Sequence, residues 1–256
     1  MLLLSAVILL AFAVVQWVIS LAARDASIAD RFWGLGFILV CVAGLRTVDP
    51  VTPHKVLLAG LVFLWGARLA IYITWRNWEK GEDYRYRAMR AHHGARFAWI
   101  SFFTVFLLQG FLTWFIALPI QITLMAENAV PAESALVMAG TLVFGAGLFI
   151  EALGDWQLAR FKANPENAGK VMDQGLWRYT RHPNYFGEAV VWWGLFLVAL
   201  PAPNVGFTIL SPIVMTLLLL KVSGVPLLEK RMAETRPAYQ EYARKTPAFF
   251  PWRPRA

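Results

Sequence analysis

Apolar runs of membrane-spanning length alternate with polar connections along almost the whole chain. A bilayer core about 30 Å thick needs roughly 20 consecutive apolar residues per helix. Seven segments meet that requirement, near residues 1–22, 28–47, 55–76, 98–124, 134–157, 184–201 and 205–222. The pattern predicts an all-α integral membrane protein with seven transmembrane helices. The first segment lacks a basic leader and a small-residue cleavage site, so it is read as a retained helix.

Composition agrees with the pattern. The 256 residues are 58% hydrophobic and 16% charged, with 12 tryptophans and a mean hydropathy of +0.52. Soluble domains are less apolar and carry more charge. The positions of the 24 Lys and Arg then give an orientation, because 21 fall in the connections on one face of the membrane and in the C-terminal tail. Only Arg46 and Lys55 lie on the opposite face, and Arg68 lies within the third span. Cytoplasmic connections collect Lys and Arg, which places the N-terminus outside and the C-terminus in the cytoplasm. The net charge of +8 is thereby accounted for by topology and by attraction to anionic lipid or ligand, with no nucleic-acid partner required.

Cys41 is the only cysteine, which excludes a disulfide within the chain and a cysteine-based metal site. His54, His92, His93 and His182 have no metal-ligand spacing on one helix face, so no metal is expected. No linker, low-complexity run or internal repeat divides the chain, which reads as a single domain over 1–256 and as a monomer. Gly140, Gly145, Gly147 and Gly154 in the fifth span fit close helix packing. No Gly-x-Gly-x-x-Gly follows a strand and no Walker lysine loop is present, so a nucleotide would not bind through a Rossmann domain.

Ionisable residues within a bilayer are costly, which marks Asp30, Arg68, Glu151, Asp155 and Glu188 as functional candidates. Glu151 and Asp155 share a helix face, followed by Lys162, Asn164, Glu166 and Asn167. A pair of acids neutralised by nearby cations explains the first two alone; a polar ligand explains the whole stretch. The richest segment is residues 175–188, Gly-Leu-Trp-Arg-Tyr-Thr-Arg-His-Pro-Asn-Tyr-Phe-Gly-Glu. Arg178 and Arg181 offer planar forks suited to phosphate, and His182 precedes Pro183, which can open a helix. Asn184, Tyr185 and Glu188 follow in its first turns, near a helix end that favours an anion. A second polar cluster, residues 79–87, lies below Arg68, Tyr72 and Trp75 on the third span, with Asp30 and Trp33 placed to share a cavity. The tail carries Glu229, Arg231, Tyr239, Tyr242 and a Pro-Ala-Phe-Phe-Pro-Trp end that is expected to fold back on the membrane surface.

The 175–188 segment, the tail, Asp30-Arg-Phe-Trp-Gly34 and Glu82-Asp-Tyr-Arg-Tyr86 together resemble the steroid 5-alpha-reductase superfamily, and within it the bacterial branch catalogued as DUF1295. The resemblance implies an oxidoreductase acting on CH–CH bonds, which reduces the C=C bond of an enone such as a 3-oxo-delta-4 steroid or similar lipid with NADPH. It implies a substrate cavity within residues 1–150, lined by Trp33, Arg68 and Tyr72, and a cofactor-binding half over 151–256. The residues matching cofactor-gripping positions are Asp155, Lys162, Asn164, Arg178, Arg181, His182, Asn184, Tyr185, Glu188, Arg231 and Tyr242. The animal steroid enzymes carry a Gln-Glu-Leu-Pro segment on the second helix, which this chain lacks; Asp30, Glu82 and Tyr86 are the catalytic candidates in its place. The implied setting is the bacterial inner membrane, with the site facing the cytoplasm, a lipophilic substrate drawn from the bilayer and membrane lipids as surroundings. An Arg-His-Pro-x-Tyr-x-Gly stretch also resembles that of membrane methyltransferases of the isoprenylcysteine or phospholipid type, which use S-adenosylmethionine. A non-enzymatic lipid-binding protein is the third alternative.

Overall fold

The computed structural model describes residues 1–127, 130–222 and 225–255, apart from the side chains at 226, 227, 230 and 231. Arg231, placed above in the cofactor set, lies outside the described side chains. Among the described residues every regular element is helical, as the hydropathy pattern predicts. Five helices are long and apolar enough to cross a membrane: α1 Leu2–Ala23, α2 Ile28–Thr47, α3 Pro53–Arg76, α4 Tyr84–Ile116 and α6 Ala135–Ala163. The helices α7 Pro183–Ala199 and α8 Gly206–Val222 are shorter than the roughly 20 residues a bilayer core needs. The short elements are α5 Leu118–Met125, α9 Val225–Thr235 and α10 Tyr239–Lys245.

The fourth span differs from its expected bounds of 98–124. Its helix begins at Tyr84, in what reads as a polar connection, and it ends at Ile116. Asp83 starts it by accepting from Arg85 N at 3.0 Å, as an N-cap should. Pro119 opens the following α5 and has no N–H to continue the ladder. Gln121, fully buried, covers the break by donating to Trp114 O at 2.8 Å and accepting from Ser5 Oγ.

The chain forms two compact units, residues 1–134 with 199–208, and 135–198 with 209–256. In the first unit, α1 buries one stripe, Ser5, Leu9, Ala13, Gln16 and Ser20, while Leu3, Val7, Leu10, Val14 and Val18 are exposed. Apolar side chains outside and small or polar ones inside are what lipid on the outer face demands. α2 and α3 touch through glycine: a Cβ on Gly34 would sit 2.4 Å from Gly66 O. Phe37 and Trp65 close the contact edge to face at 5.5 Å.

In the second unit, α6 and α7 run antiparallel with their backbones in contact. A Cβ on Gly147 would lie 2.6 Å from Val191 N, one on Gly187 2.4 Å from Glu151 N, and one on Gly194 2.4 Å from Phe144 N. Gly145, grouped above with the packing glycines, faces open space instead. The C-terminal tail docks on residues 177–182. Arg181 Nε donates to Glu229 Oε1 at 2.7 Å, and its Nη1 to Ala243 O and Thr246 O at 2.6 and 2.7 Å. Thr180 Oγ1 donates to Phe249 O at 2.8 Å, Trp252 N to Tyr179 O at 2.9 Å, and Tyr242 Oη to Trp177 O. Burial alone would raise the Glu229 carboxyl, but hydrogen bonds from His182 and Arg181 outweigh it and hold the carboxyl at about 2.

Two outcomes test these contacts. Gly187→Ala puts a methyl against backbone that no rotamer change can clear, so unit 2 should lose about 1–3 kcal/mol or more, read as a lower Tm in detergent; Gly145→Ala should change Tm little. Glu229 has its folded value depressed below the unfolded carboxylate range, so its contribution is complete above about pH 4.5 and fades as pH falls toward 2. Hydrogen exchange at residues 181 and 252, corrected for intrinsic rates, should rise over that window, and Glu229→Gln should show the loosened tail already at neutral pH.

Candidate functional site

Each unit carries one dense assembly of polar side chains. In unit 1 the assembly is built from the α1–α2 turn, the first turn of α2, the connection after α3 and the start of α4. Asp25 accepts from Ser27 N at 2.9 Å, from Ser27 Oγ, and from Arg31 Nη2 at 2.7 Å. Ser27 Oγ accepts from Asp83 N at 3.1 Å, which ties the connection to the α2 start. Asp30, one turn into α2, accepts from Arg85 Nη2 at 2.6 Å, Tyr86 Oη at 2.7 Å and Gln109 Nε2 at 3.3 Å. Three donors thus converge on one carboxylate.

Of the three catalytic candidates, Asp30 and Tyr86 therefore meet. Glu82 turns elsewhere: it accepts from Ala26 N at 2.9 Å and takes both Arg90 Nε and Nη2, at 2.9 and 2.7 Å. Burial pushes the Glu82 carboxyl up, but the Arg90 and Ala26 hydrogen bonds and the Arg90 and Arg87 charges leave it below the usual range. Its side chain is 6% exposed, so its geometry is that of an anchor between α4 and the α1–α2 turn. Arg90 in turn lies over Phe97 at 4.5 Å.

Trp33 borders a small niche of unit 1, and Arg68 and Tyr72 belong neither to its lining nor to that of the groove between α2 and α3. Trp33 packs edge to face on Phe37 at 5.4 Å, while Arg68 and Arg76 lie over the Tyr72 ring at 5.2 and 5.6 Å. A groove of about 590 Å³ lies between α2 and α3, lined by Phe32, Leu35, Ala70, Ile71 and Trp75, with Arg31 also on its wall. It is almost wholly apolar and of a size that takes small lipophilic molecules.

In unit 2 the assembly follows α6 into the first turns of α7. Glu151 and Asp155 are 2% and 4% exposed, and His182 and Glu188 are buried as well. Gly175, at φ 58°, turns the chain so that Gln157 accepts from Leu176 N at 3.0 Å and Trp177 donates to Gly154 O at 3.0 Å. A side chain at 175 would collide with Gln157 at 2.5 Å. Pro183 then opens α7, where Asn184 donates to Asp155 Oδ1 at 3.1 Å. The Asn184 Oδ1 atom is buried with no hydrogen-bond partner, an acceptor that natural structures rarely leave unused. Tyr185 stacks parallel on His182 at 5.5 Å.

The cofactor set named from the sequence splits three ways. Asp155, Asn184, Tyr185 and Glu188 gather at the α6–α7 contact. Lys162, Asn164 and Arg178 are exposed at its edge, where Asn164 caps its own turn by accepting from Glu166 N at 3.0 Å. Arg181, His182 and Tyr242 direct their hydrogen bonds to the tail and its docking segment, His182 Nε2 meeting Glu229 Oε1 at 3.2 Å. Gln16, Gln109 and Thr113 are not among the candidates that the sequence marks. Uncharged amides and hydroxyls inside apolar runs were their only signal.

Among the described residues no cluster of His, Cys, Asp and Glu could hold a metal ion. No solved structure matches the chain. A protein of Schizosaccharomyces pombe described as uncharacterized is 26% identical over 270 residues, which covers 93% of this chain and 76% of that protein. The model of the family described as "Protein of unknown function (DUF1295)" matches residues 16–246, a range that takes in both assemblies. The steroid 5-alpha-reductase-like superfamily is consistent with that family. The chain thus belongs to the DUF1295 family.

Proposed function

We propose that the protein is an NADPH-dependent membrane reductase that saturates the C=C bond of a lipophilic enone, a 3-oxo-delta-4 steroid or similar lipid. The observation that carries the proposal is the Asn184–Asp155 pair, whose free Asn184 Oδ1 is a buried acceptor beside buried carboxylates. A dinucleotide fits this set of acceptors. Its carboxamide and ribose hydroxyls are donors suited to Asn184 Oδ1, Asp155 and Glu188, and its phosphates suit the exposed Arg178 and Lys162. When bound, NADPH supplies the hydride that forms the new C–H bond at the β carbon. The C=C π bond breaks, its electrons pass toward the carbonyl oxygen, and a proton completes the α carbon.

Asp30 and Tyr86 are the residues proposed to polarise the enone carbonyl. The Asp30 carboxylate, held by Arg85 and Gln109, accepts and does not donate. Tyr86 Oη holds the proton of the pair and can turn its hydrogen bond from Asp30 to a carbonyl oxygen as negative charge develops there. A donor aimed at developing charge in a site short of water is worth most in the transition state.

The proposed topology is seven crossings, with α7 and α8 as the two short ones, the N-terminus outside and the C-terminus in the cytoplasm. The setting is a bacterial inner membrane with the site facing inward. The asymmetry of Lys and Arg supports this orientation.

Purified protein should lower nicotinamide absorbance when NADPH is mixed with progesterone or testosterone, and only when the enone is present. Absence of that loss, together with methyl transfer from labelled S-adenosylmethionine, would make the protein a methyltransferase instead. Tyr86→Phe and Asp30→Asn should each cut turnover about 10²–10⁴-fold with NADPH affinity unchanged. Glu82→Gln should lower the Tm, since it unpairs Arg90; loss of turnover in Glu82→Gln at an unchanged Tm would instead make Glu82 the acid.

A further inference from the structure

Between α1, α2 and α4 of unit 1 lies a niche of about 10 Å³, bounded among others by Gln16, Trp33, Gly36, Gln109, Gly110 and Thr113. That is room for one oxygen atom or one water. Gln16 is 8% exposed and Thr113 is 3% exposed; among the described residues neither the Gln16 amide nor the Thr113 hydroxyl makes a hydrogen bond, and their polar atoms are not sealed off but border the niche. Threonines in apolar helices ordinarily satisfy themselves on the carbonyl four residues back. Thr104, Thr123, Thr141 and Thr216 all do so here, at 2.7–2.8 Å. Thr113 does not, although Gln109 O is the carbonyl at that offset. Gln109 commits one N–H to Asp30 Oδ1, which leaves its second N–H and its carbonyl oxygen for the niche.

Glycine keeps the niche open. A Cβ on Gly36 would lie 3.1 Å from Thr113 Cγ2 and 3.5 Å from both Leu9 Cδ2 and Thr113 Oγ1. The niche thus collects two amides and a hydroxyl, all uncharged, inside otherwise apolar helices. Leaving such groups unsatisfied in a membrane-spanning bundle is unfavourable. Their neutrality also selects the ligand: a carboxylate or phosphate would have no cation among these lining residues, whereas a carbonyl or hydroxyl oxygen needs only a hydrogen bond.

We infer that this niche binds the neutral oxygen, carbonyl or hydroxyl, of an otherwise apolar lipid, whose hydrocarbon part stays outside the niche, beside the partly exposed Phe12 and Phe32. The site concerns binding and not hydride transfer, and is measured without cofactor, so it can fail or hold separately from the reductase proposal.

The experiment is equilibrium binding of radiolabelled progesterone and of 2-undecanone to the full chain in nanodiscs without NADPH, with pregnane and undecane as oxygen-free competitors and oleate as a charged one. The wild type should bind at least one ketone saturably, and the matching hydrocarbon and oleate should compete poorly. Thr113→Val, which keeps the shape of the side chain, and Gln16→Met should each weaken ketone binding about three- to tenfold, the loss of one neutral hydrogen bond. Hydrocarbon binding should not move, and Gly36→Ala should weaken ketone binding by narrowing the niche. Thermal unfolding confirms that each variant is folded, and Gln16→Leu substitutes if Gln16→Met is not. Ketone binding equal to wild type in folded Thr113→Val and Gln16→Met overturns the assignment and leaves a niche for structural water only. Parallel weakening of ketone and hydrocarbon, or no saturable binding of either ketone to the wild type, overturns it as well.

Discussion

A chain this apolar can keep polar side chains among its helices only where each finds a partner, because lipid offers none. That requirement organises both units. Asp30 is tolerated at the start of α2 because Arg85, Tyr86 and Gln109 converge on it. Glu82 is tolerated because Arg90 and the Ala26 amide enclose it. The same rule makes an exception informative: Asn184 Oδ1 is a buried acceptor that the protein itself does not satisfy.

The cations of the 175–188 segment divide their work. Arg181 is drawn inward by Glu229 and by two tail carbonyls, so it acts as the clamp that holds α9, α10 and the Pro-Ala-Phe-Phe end against residues 177–182. Phe249 adds an apolar contact to Phe186 at 5.8 Å. The Arg178 side chain, three residues earlier, stays exposed, and only its backbone O meets the tail, accepting from Thr246 Oγ1 at 3.5 Å. Of the two planar forks, Arg181 anchors the tail and the Arg178 side chain is exposed. The tail hydrogen bonds decide between them, and those come from residues more than forty positions away.

The helices were legible in the sequence because lipid imposes a length and a composition that hydropathy reads directly. The first, second and third spans start and end within two residues of the expected positions, and the fifth starts within one but runs six residues further, to Ala163. The fourth departs from its expected bounds, since Tyr84–His93 is polar by composition and its helix is set by the Asp83 cap and the Asp30 and Glu82 pairings. The meeting of Asp30 with Tyr86 was foreshadowed by the cost of burying a charge. Glu82's pairing with Arg90 was not, because residues eight apart on a turn and a helix have no periodic relation. Gly145 shows a similar limit: composition groups it with Gly140, Gly147 and Gly154, but only the other three fall at seven-residue intervals facing α7.

The central claim is that the buried, incompletely satisfied face formed by α6 and the start of α7 holds a reduced dinucleotide. Titration of NADPH into the purified chain, followed by energy transfer from tryptophan to the nicotinamide, tests it most directly. Saturable binding is predicted, displaced by NADP⁺, unaffected by S-adenosylmethionine and weakened about tenfold in Asn184→Leu. No saturable transfer, or displacement by S-adenosylmethionine at comparable concentration, would contradict it.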